Sequence, residues 1–226
     1  MKVEPPVPRR AAAWITTHSG VYFNVADPCV DDVRLGDIAR ALSMLCRFAG
    51  HCRVFYSVAE HSVRVAEALG PELALEGLLH DAAEAYMVDV PGPVKNLPAL
   101  AGYRRLEEKV VGVVRARFGL LGPQHPRVAE ADHILAVTEC RDLLSPEVLK
   151  KWKMALVFSP LPGRISPWSQ ETAESRFRGA FADAYGSCLG AAPPPPWIVA
   201  WALAERRARQ RSSRKSRHER GRSLRG

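Results

Sequence analysis

The sequence predicts an all-α fold with a small N-terminal β-hairpin, and three observations carry the prediction. From about residue 33 to residue 186, apolar side chains recur three and four apart, the spacing that lines one face of a helix. Helix punctuation brackets these runs: Ser57-x-x-Glu60 reads as a capping box, Gly70-Pro71 as a stop and Pro126 as a start. Strand-like alternation is confined to Trp14–Thr17 and Val21–Val25, which flank the turn-forming His18-Ser19-Gly20.

Residues 1–12 are polar and proline-rich and read as a loose leader before the hairpin. Ile38, Ala41, Leu42 and Leu45 then predict a first helix that Gly50 ends. Ser57 caps a second helix carrying Val58, His61, Val65 and Leu69. A third runs from Gly70-Pro71 through Leu75, Leu78 and Leu79 to about Tyr86. Asp89–Lys95 is expected as a loop, because two prolines and a glycine do not continue a helix. A long helix spans about 98 to 118 and stops at Gly119. Another follows Pro126 through Val128, Ala131, Leu135, Thr138 and Leu143. The last core helix begins at Ser166-Pro167 and carries Phe177, Phe181 and Tyr185 on one face. Residues 1–190 are thus expected as one domain with its core at about 33–186. Residues 191–226 are expected as a proline-rich linker, a short helix and a basic tail, largely disordered.

A chain of 226 residues, 47% of them apolar, is long enough to bury a sizeable core. It contains no 20-residue apolar span and no secretory-type apolar region, so a cytoplasmic protein without a membrane segment is expected. Five cysteines form no CxxC pair and leave one over, which reads as reduced thiols. The net charge of +8 is confined to Glu205–Gly226, where nine arginines and one lysine face two glutamates; the other 204 residues balance at 22 of each sign. Basicity therefore belongs to the tail, where it could give weak polyanion binding.

The chemistry concentrates at His80-Asp81. Adjacent side chains on one helix lie about 100° apart, so both can turn toward a cation wedged between helices. Should His61 and Asp132 reach the same point, they complete a mixed imidazole and carboxylate site. Such a donor set suits one divalent Mn, Fe, Co, Ni or Zn ion better than Ca or Mg. Glu84 follows His80 by four residues and Asp81 by three, which places a carboxylate one turn along on the same face. There it can take a proton from water or give one to a leaving oxygen.

The ordered strings Arg47-Phe48, YSVAEHS around His61, LHDAAE from Leu79 to Glu84, DVPGPVK from Asp89 to Lys95, and Ala131-Asp132 resemble the HD-domain metal-dependent phosphohydrolases. The likeness is nearest to the bacterial 5′-deoxynucleotidase branch and the phage dNTP triphosphohydrolases. It covers about residues 47–142. The resemblance implies an HD-domain helical bundle in which His61, His80, Asp81 and Asp132 hold one divalent metal. It implies catalytic roles for Glu84 and Asp89, with Asp89 also touching the substrate sugar. Arg47 is implied as a phosphate contact, with His51 and Lys95 as weaker candidates for that role, and Phe48 as a packing surface for sugar or base. The expected reaction converts a dNMP to deoxynucleoside plus phosphate. A dNTP triphosphohydrolase breaking the same α-phosphorus to oxygen bond is the alternative. A nucleic-acid-binding adaptor with an inert core is the reading from a different class. Similar enzymes are often dimers, and the Phe177–Tyr185 face could serve as an interface or as core.

Overall fold

The computed structural model describes residues 13–188, with side chains through Gly186. Strand β1 (Trp14–Thr16) pairs antiparallel with β2 (Tyr22–Asn24), Ile15 opposite Phe23. Gly20, at φ +83°, makes the turn between them in the left-handed region that glycine enters without strain. The Ser19 amide and hydroxyl both donate to the buried Asp37 carboxylate at 2.7 Å, tying the hairpin to α1 (Leu35–Met44). The other elements are helices: α2 (Val58–Leu69), α3 (Ala74–Leu79), α4 (Glu84–Met87), α5 (Gly92–Lys95), α6 (Ala101–Arg117), α7 (Pro126–Leu143), α8 (Pro146–Lys151) and α9 (Gln170–Cys188). The expected all-α class with one small hairpin holds, and among the described residues no helix is long and apolar enough to cross a membrane.

Two compact units divide after Ala180. In the second, the described residues are the end of α9, where the Phe181 and Tyr185 rings stack at 5.3 Å. The expected linker, terminal helix and basic tail lie outside the described residues.

In the first unit, α2 packs on α7 through Val65, Leu69, Val128, Ala131 and Leu135, all buried. Each of these valines and leucines contributes about 1.5–3 kcal/mol on burial. His61 lies one turn before Val65 and Asp132 beside Ala131, so this seam sets their approach. Helix α3 lies against α2 at Gly77. A Cβ there would come 2.5 Å from Leu69 Cδ1 and 3.2 Å from the Ala66 Cα, so only glycine permits the approach.

Several expected boundaries are corrected. The first helix stops at Met44, not Gly50, because Cys46 leaves it to form a β-bridge with Ser57. The third helix is interrupted: His80–Ala83 form a tightened turn in which Ala82 and Glu84 donate three residues back, to the Leu79 and Asp81 carbonyls. The expected loop contains the single turn α5, where Pro93 sits in the first turn and needs no amide partner. Helix α9 begins at Gln170, after Ser169 accepts from the Thr172 amide. Ser57 accepts from the Glu60 amide at 3.1 Å, but the Glu60 carboxylate does not return the bond. Instead it takes the Trp168 amide at 2.7 Å and the Arg64 guanidinium at 2.7 and 3.0 Å.

Candidate functional site

His61 comes from the first turn of α2, fully buried, and His80 and Asp81 from the turn after α3. Their ligand atoms gather within 4.8 Å of one another, a grouping able to hold a metal ion. The two Nε2 atoms lie 3.3 Å apart, and Asp81 Oδ2 lies 3.2 Å from His80 Nε2 and 3.6 Å from His61 Nε2. Asp132, on α7, places Oδ1 at 3.1 Å from His61 Nε2 and 4.0 Å from His80 Nε2.

The other ring nitrogens settle what the Nε2 atoms offer. His80 Nδ1 lies 2.7 Å from the Gly77 carbonyl, which can only accept, so Nδ1 carries the hydrogen. His61 Nδ1 lies 2.6 Å from Glu139 Oε1, whose carboxyl stays ionised: burial pushes it up, but Arg47 and His61 pull it below the ordinary value. When a cation takes the place of the Nε2 protons, each ring keeps its Nδ1 hydrogen and presents an Nε2 lone pair to the same point. A carboxylate behind a ligating histidine is the support that fixes tautomer and ring plane in metal sites.

Charge leads to the same conclusion. Asp81, Asp132 and Glu139 are each held below the ordinary carboxylate value, Asp132 at about 2. For Asp81, burial pushes upward, and the His80 imidazolium, His61 and Arg47 overcome it. Against these three anions stands one buried cation, Arg47, 3.1 Å from Glu139, 3.4 Å from Asp81 and 4.0 Å from Asp132. The shortfall is two positive charges. One divalent ion supplies them, or one proton on each imidazole. Burial and Arg47 lower His61, yet Glu139 and Asp132 raise it to about 10; His80 is likewise raised, burial being outweighed by Asp81. Two protonated Nε2 atoms at 3.3 Å repel each other, whereas a cation between them is attracted to both and to Asp81. The donor set fits a divalent metal.

Beside the cluster opens a cleft of about 320 Å³, lined by His80, Asp81, Glu84, Lys95, Glu107 and Glu108 among others. Glu84 starts α4, is buried, and its Oε2 has no hydrogen-bond partner. Burial, then Asp81 and Asp89, push its carboxyl well above the ordinary value against Arg47 and Lys95. Asp89 follows Val88, whose φ of +62° and ψ of 158° form a conformation almost restricted to glycine. Burial raises Asp89, while the Arg47, His61 and Lys95 charges oppose that and Asp81 adds to it.

Helix α6 holds this strained segment at both ends. The Tyr103 hydroxyl reaches the Met87 and Val88 carbonyls at 2.7 and 3.2 Å. Arg104 donates to the Lys95 and Leu97 carbonyls at 2.6 and 3.0 Å. Glu107 takes the Lys95 ammonium at 2.6 Å, so Lys95 lines the cleft already paired. Phe48, at φ +55°, sets its ring edge-on to Trp152 at 6.3 Å, with the Arg47 guanidinium 5.5 Å from its centroid. His51 is exposed on the same loop.

Glu139 is not among the site residues that the sequence predicts. It is fully buried, and besides His61 and Arg47 it accepts from the Tyr56 hydroxyl at 2.9 Å. The available signal was its place seven residues after Asp132, two turns along the same helical face. Nothing in the local sequence of Tyr103, Arg104 or Glu107 marks the part they play.

The fold and the cluster together define an all-α protein with an HD-like metal-binding motif. No family model matches the chain. It is similar to the uncharacterized protein YfdR of Escherichia coli (strain K12), 45% identical over 131 residues that cover 58% of this chain and 72% of that protein. It is also similar to an uncharacterized protein of Rhodobacter capsulatus, 36% identical over 117 residues, 48% of this chain and 59% of that protein. The chain belongs to the family that includes YfdR.

Proposed function

We infer that the protein is a metal-dependent phosphohydrolase that removes the 5′-phosphate of a deoxynucleotide, releasing deoxynucleoside and phosphate. The observation that carries this reading is the His61–His80–Asp81 cluster opening beside a cleft walled by a buried carboxyl, Glu84, whose Oε2 has no hydrogen-bond partner. Asp132, by its distance from His61, is the fourth ligand in this reading. A divalent ion held by these residues would supply charge stabilisation at the phosphoryl oxygens and a water of lowered pKa.

The remaining roles belong to the side chains. Glu84, its carboxyl raised by burial, hands a proton to the departing 5′ oxygen. Asp89 accepts a hydrogen bond from the sugar. Arg47 presents its Nη edge to the phosphate while Nε stays on Glu139. Phe48 packs against the sugar or base. The cleft lining favours a monophosphate over a triphosphate, because Lys95 is already neutralised by Glu107, and Glu108 adds negative charge.

Purified protein incubated with dNMPs, NMPs, dNTPs, cyclic nucleotides and 3′-pyrophosphorylated alarmones in Mn²⁺ or Co²⁺ tests the reading. Phosphate release from dNMPs, lost in Glu84→Gln, is expected. Triphosphate release from dNTPs would move the substrate without moving the bond broken. Silence across the whole panel would end the phosphohydrolase assignment. Deleting residues 205–226 should leave turnover unchanged and abolish any salt-sensitive polyanion binding.

A further inference from the structure

Two thiols bracket the loop that carries Arg47 and Phe48. Cys46 and Cys52 are both half-buried, and neither is in a disulfide. Cys52 Sγ lies 3.5 Å from the carbonyl oxygen of Arg47, the residue after Cys46, and the Cys46 thiol is near enough to help push the Cys52 thiol up. The chain between them is strained: Phe48, Ala49 and Gly50 occupy the left-handed region in succession, at φ +55°, +50° and +81°. Both of its ends are anchored, the far one by the Arg53 amide, which donates to the Leu143 carbonyl at 2.9 Å. Cys46 is bridged to Ser57, and the Arg47 amide donates to the Tyr56 carbonyl at 2.9 Å. Ala49, Gly50 and His51 are exposed.

We propose that Cys46 and Cys52 are a redox-modification site, oxidised by a peroxide to an intramolecular disulfide that displaces the backbone of Arg47. The proposal is independent of which phosphate ester the cleft accepts. Cys46 Sγ attacks one peroxide oxygen, the O–O bond breaks, and the departing hydroxide takes the thiol proton, leaving a sulfenic acid and water. Cys52 Sγ then attacks the sulfenic sulfur, the S–O bond breaks, and a second water leaves with the Cys52 proton. The two sulfurs together give up two electrons and the peroxide gains them. The order follows from the surroundings. Burial and the Cys46 thiol push Cys52 up to about 12, so it keeps its proton and enters second.

The consequence for the site follows from the bonds on either side. Forming the S–S bond removes the thiol hydrogen that faces the Arg47 carbonyl. It also draws the two ends of a six-bond loop together around residues already in a costly conformation. Arg47 pairs with Glu139, Asp81 and Asp132, so a shift of its backbone is felt by three carboxylates at once.

Trypsin reads the pair directly, because Arg40, Arg47 and Arg53 place Cys46 in peptide 41–47 and Cys52 in peptide 48–53. The full chain is treated with stoichiometric hydrogen peroxide and digested without reductant. Peptides 41–47 and 48–53 should appear as one linked species, lighter by two hydrogens than their sum and released by dithiothreitol. The link should vanish in Cys46→Ser and in Cys52→Ser and persist in Cys29→Ser. In the same samples the Arg47 Nε–H resonance, assigned by its loss in Arg47→Lys, should move on oxidation and return on reduction. Unlinked peptides in protein whose exposed Cys29 has been oxidised would overturn the pair. So would a link found only in covalent dimers on a non-reducing gel. A link formed with the Arg47 resonance unmoved would overturn the coupling to the site.

Discussion

His61 and Asp89 belong to the same charged centre but are supported in opposite ways. His61 sits in the first turn of a twelve-residue helix, fully buried, its ring held by Glu139, which is itself gripped by Tyr56 and Arg47. Asp89 follows a valine in a glycine-type conformation at the end of a four-residue helix. Its segment is kept in place by Tyr103, Arg104 and Glu107 reaching across from α6. A cation needs fixed donors, because a misplaced lone pair costs affinity at once. A substrate must enter and leave, and a segment held by a few hydrogen bonds at its rim can open without unfolding the core.

The contrast breaks most completely at the rigid side. His80→Ala should weaken Mn²⁺ or Co²⁺ binding by more than the ~10–100-fold typical of losing an outer support. Isothermal titration of the purified protein checks this, and unchanged affinity would remove His80 from the metal set. Glu139→Ala strips three donors of their acceptor and leaves Arg47 short of its nearest counter-charge. Urea unfolding should show a loss of about 3–5 kcal/mol. Glu139→Gln keeps the shape, and its metal affinity should fall by about 10–100-fold.

The pH dependence of the metal-free protein sharpens the same point. Folding raises His61 from 6.5 to about 10, so the folded chain binds that proton more tightly than the unfolded one. Its stabilisation is complete below about 6.5 and disappears as pH climbs through about 10. Thermal midpoints of metal-free protein should fall across that window, and midpoints with saturating metal should not. Because the metal replaces protons on His61 and His80, metal binding near neutral pH should release protons, measurable by calorimetry in buffers of different ionisation enthalpy.

Smaller effects are expected at the two places where backbone shape is at stake. Gly77→Ala sets a methyl against the Ala66 Cα and should cost about 1–3 kcal/mol. Part of that cost should appear as weaker metal binding, since the same helix delivers His80. Val88→Gly relieves a strained valine and should leave stability equal or higher by about 1 kcal/mol. Hydrogen exchange in residues 88–97 should nevertheless quicken, which would mark that segment as the mobile side of the site.

Much of this was legible in the sequence where a regular repeat coincides with a packing seam. The periods of Val58–Leu69 and Pro126–Leu143 identified α2 and α7, and with them the face carrying His61 and Asp132. Legibility failed where tertiary contacts override local pattern. The apolar run through Leu78 to Tyr86 looks continuous, yet the chain tightens at His80–Ala83. Gly50 looked like a helix stop, but the helix had ended six residues earlier to pair Cys46 with Ser57. Glu139 was underestimated because a carboxylate in a sequence carries no sign of burial; only the convergence of Tyr56, His61 and Arg47 makes it central.

Glu60 sits one residue before His61 and is fully buried, and one of its oxygens waits for an amide 108 residues further along, at Trp168. Synthesis runs from the N-terminus, so the ribosome has released three quarters of the chain before that oxygen finds its partner. The second helix is therefore completed from behind, by a segment made long after it. A truncated product ending ahead of Trp168 would carry every ligand of the cluster and still lack the clasp that closes the helix beneath it.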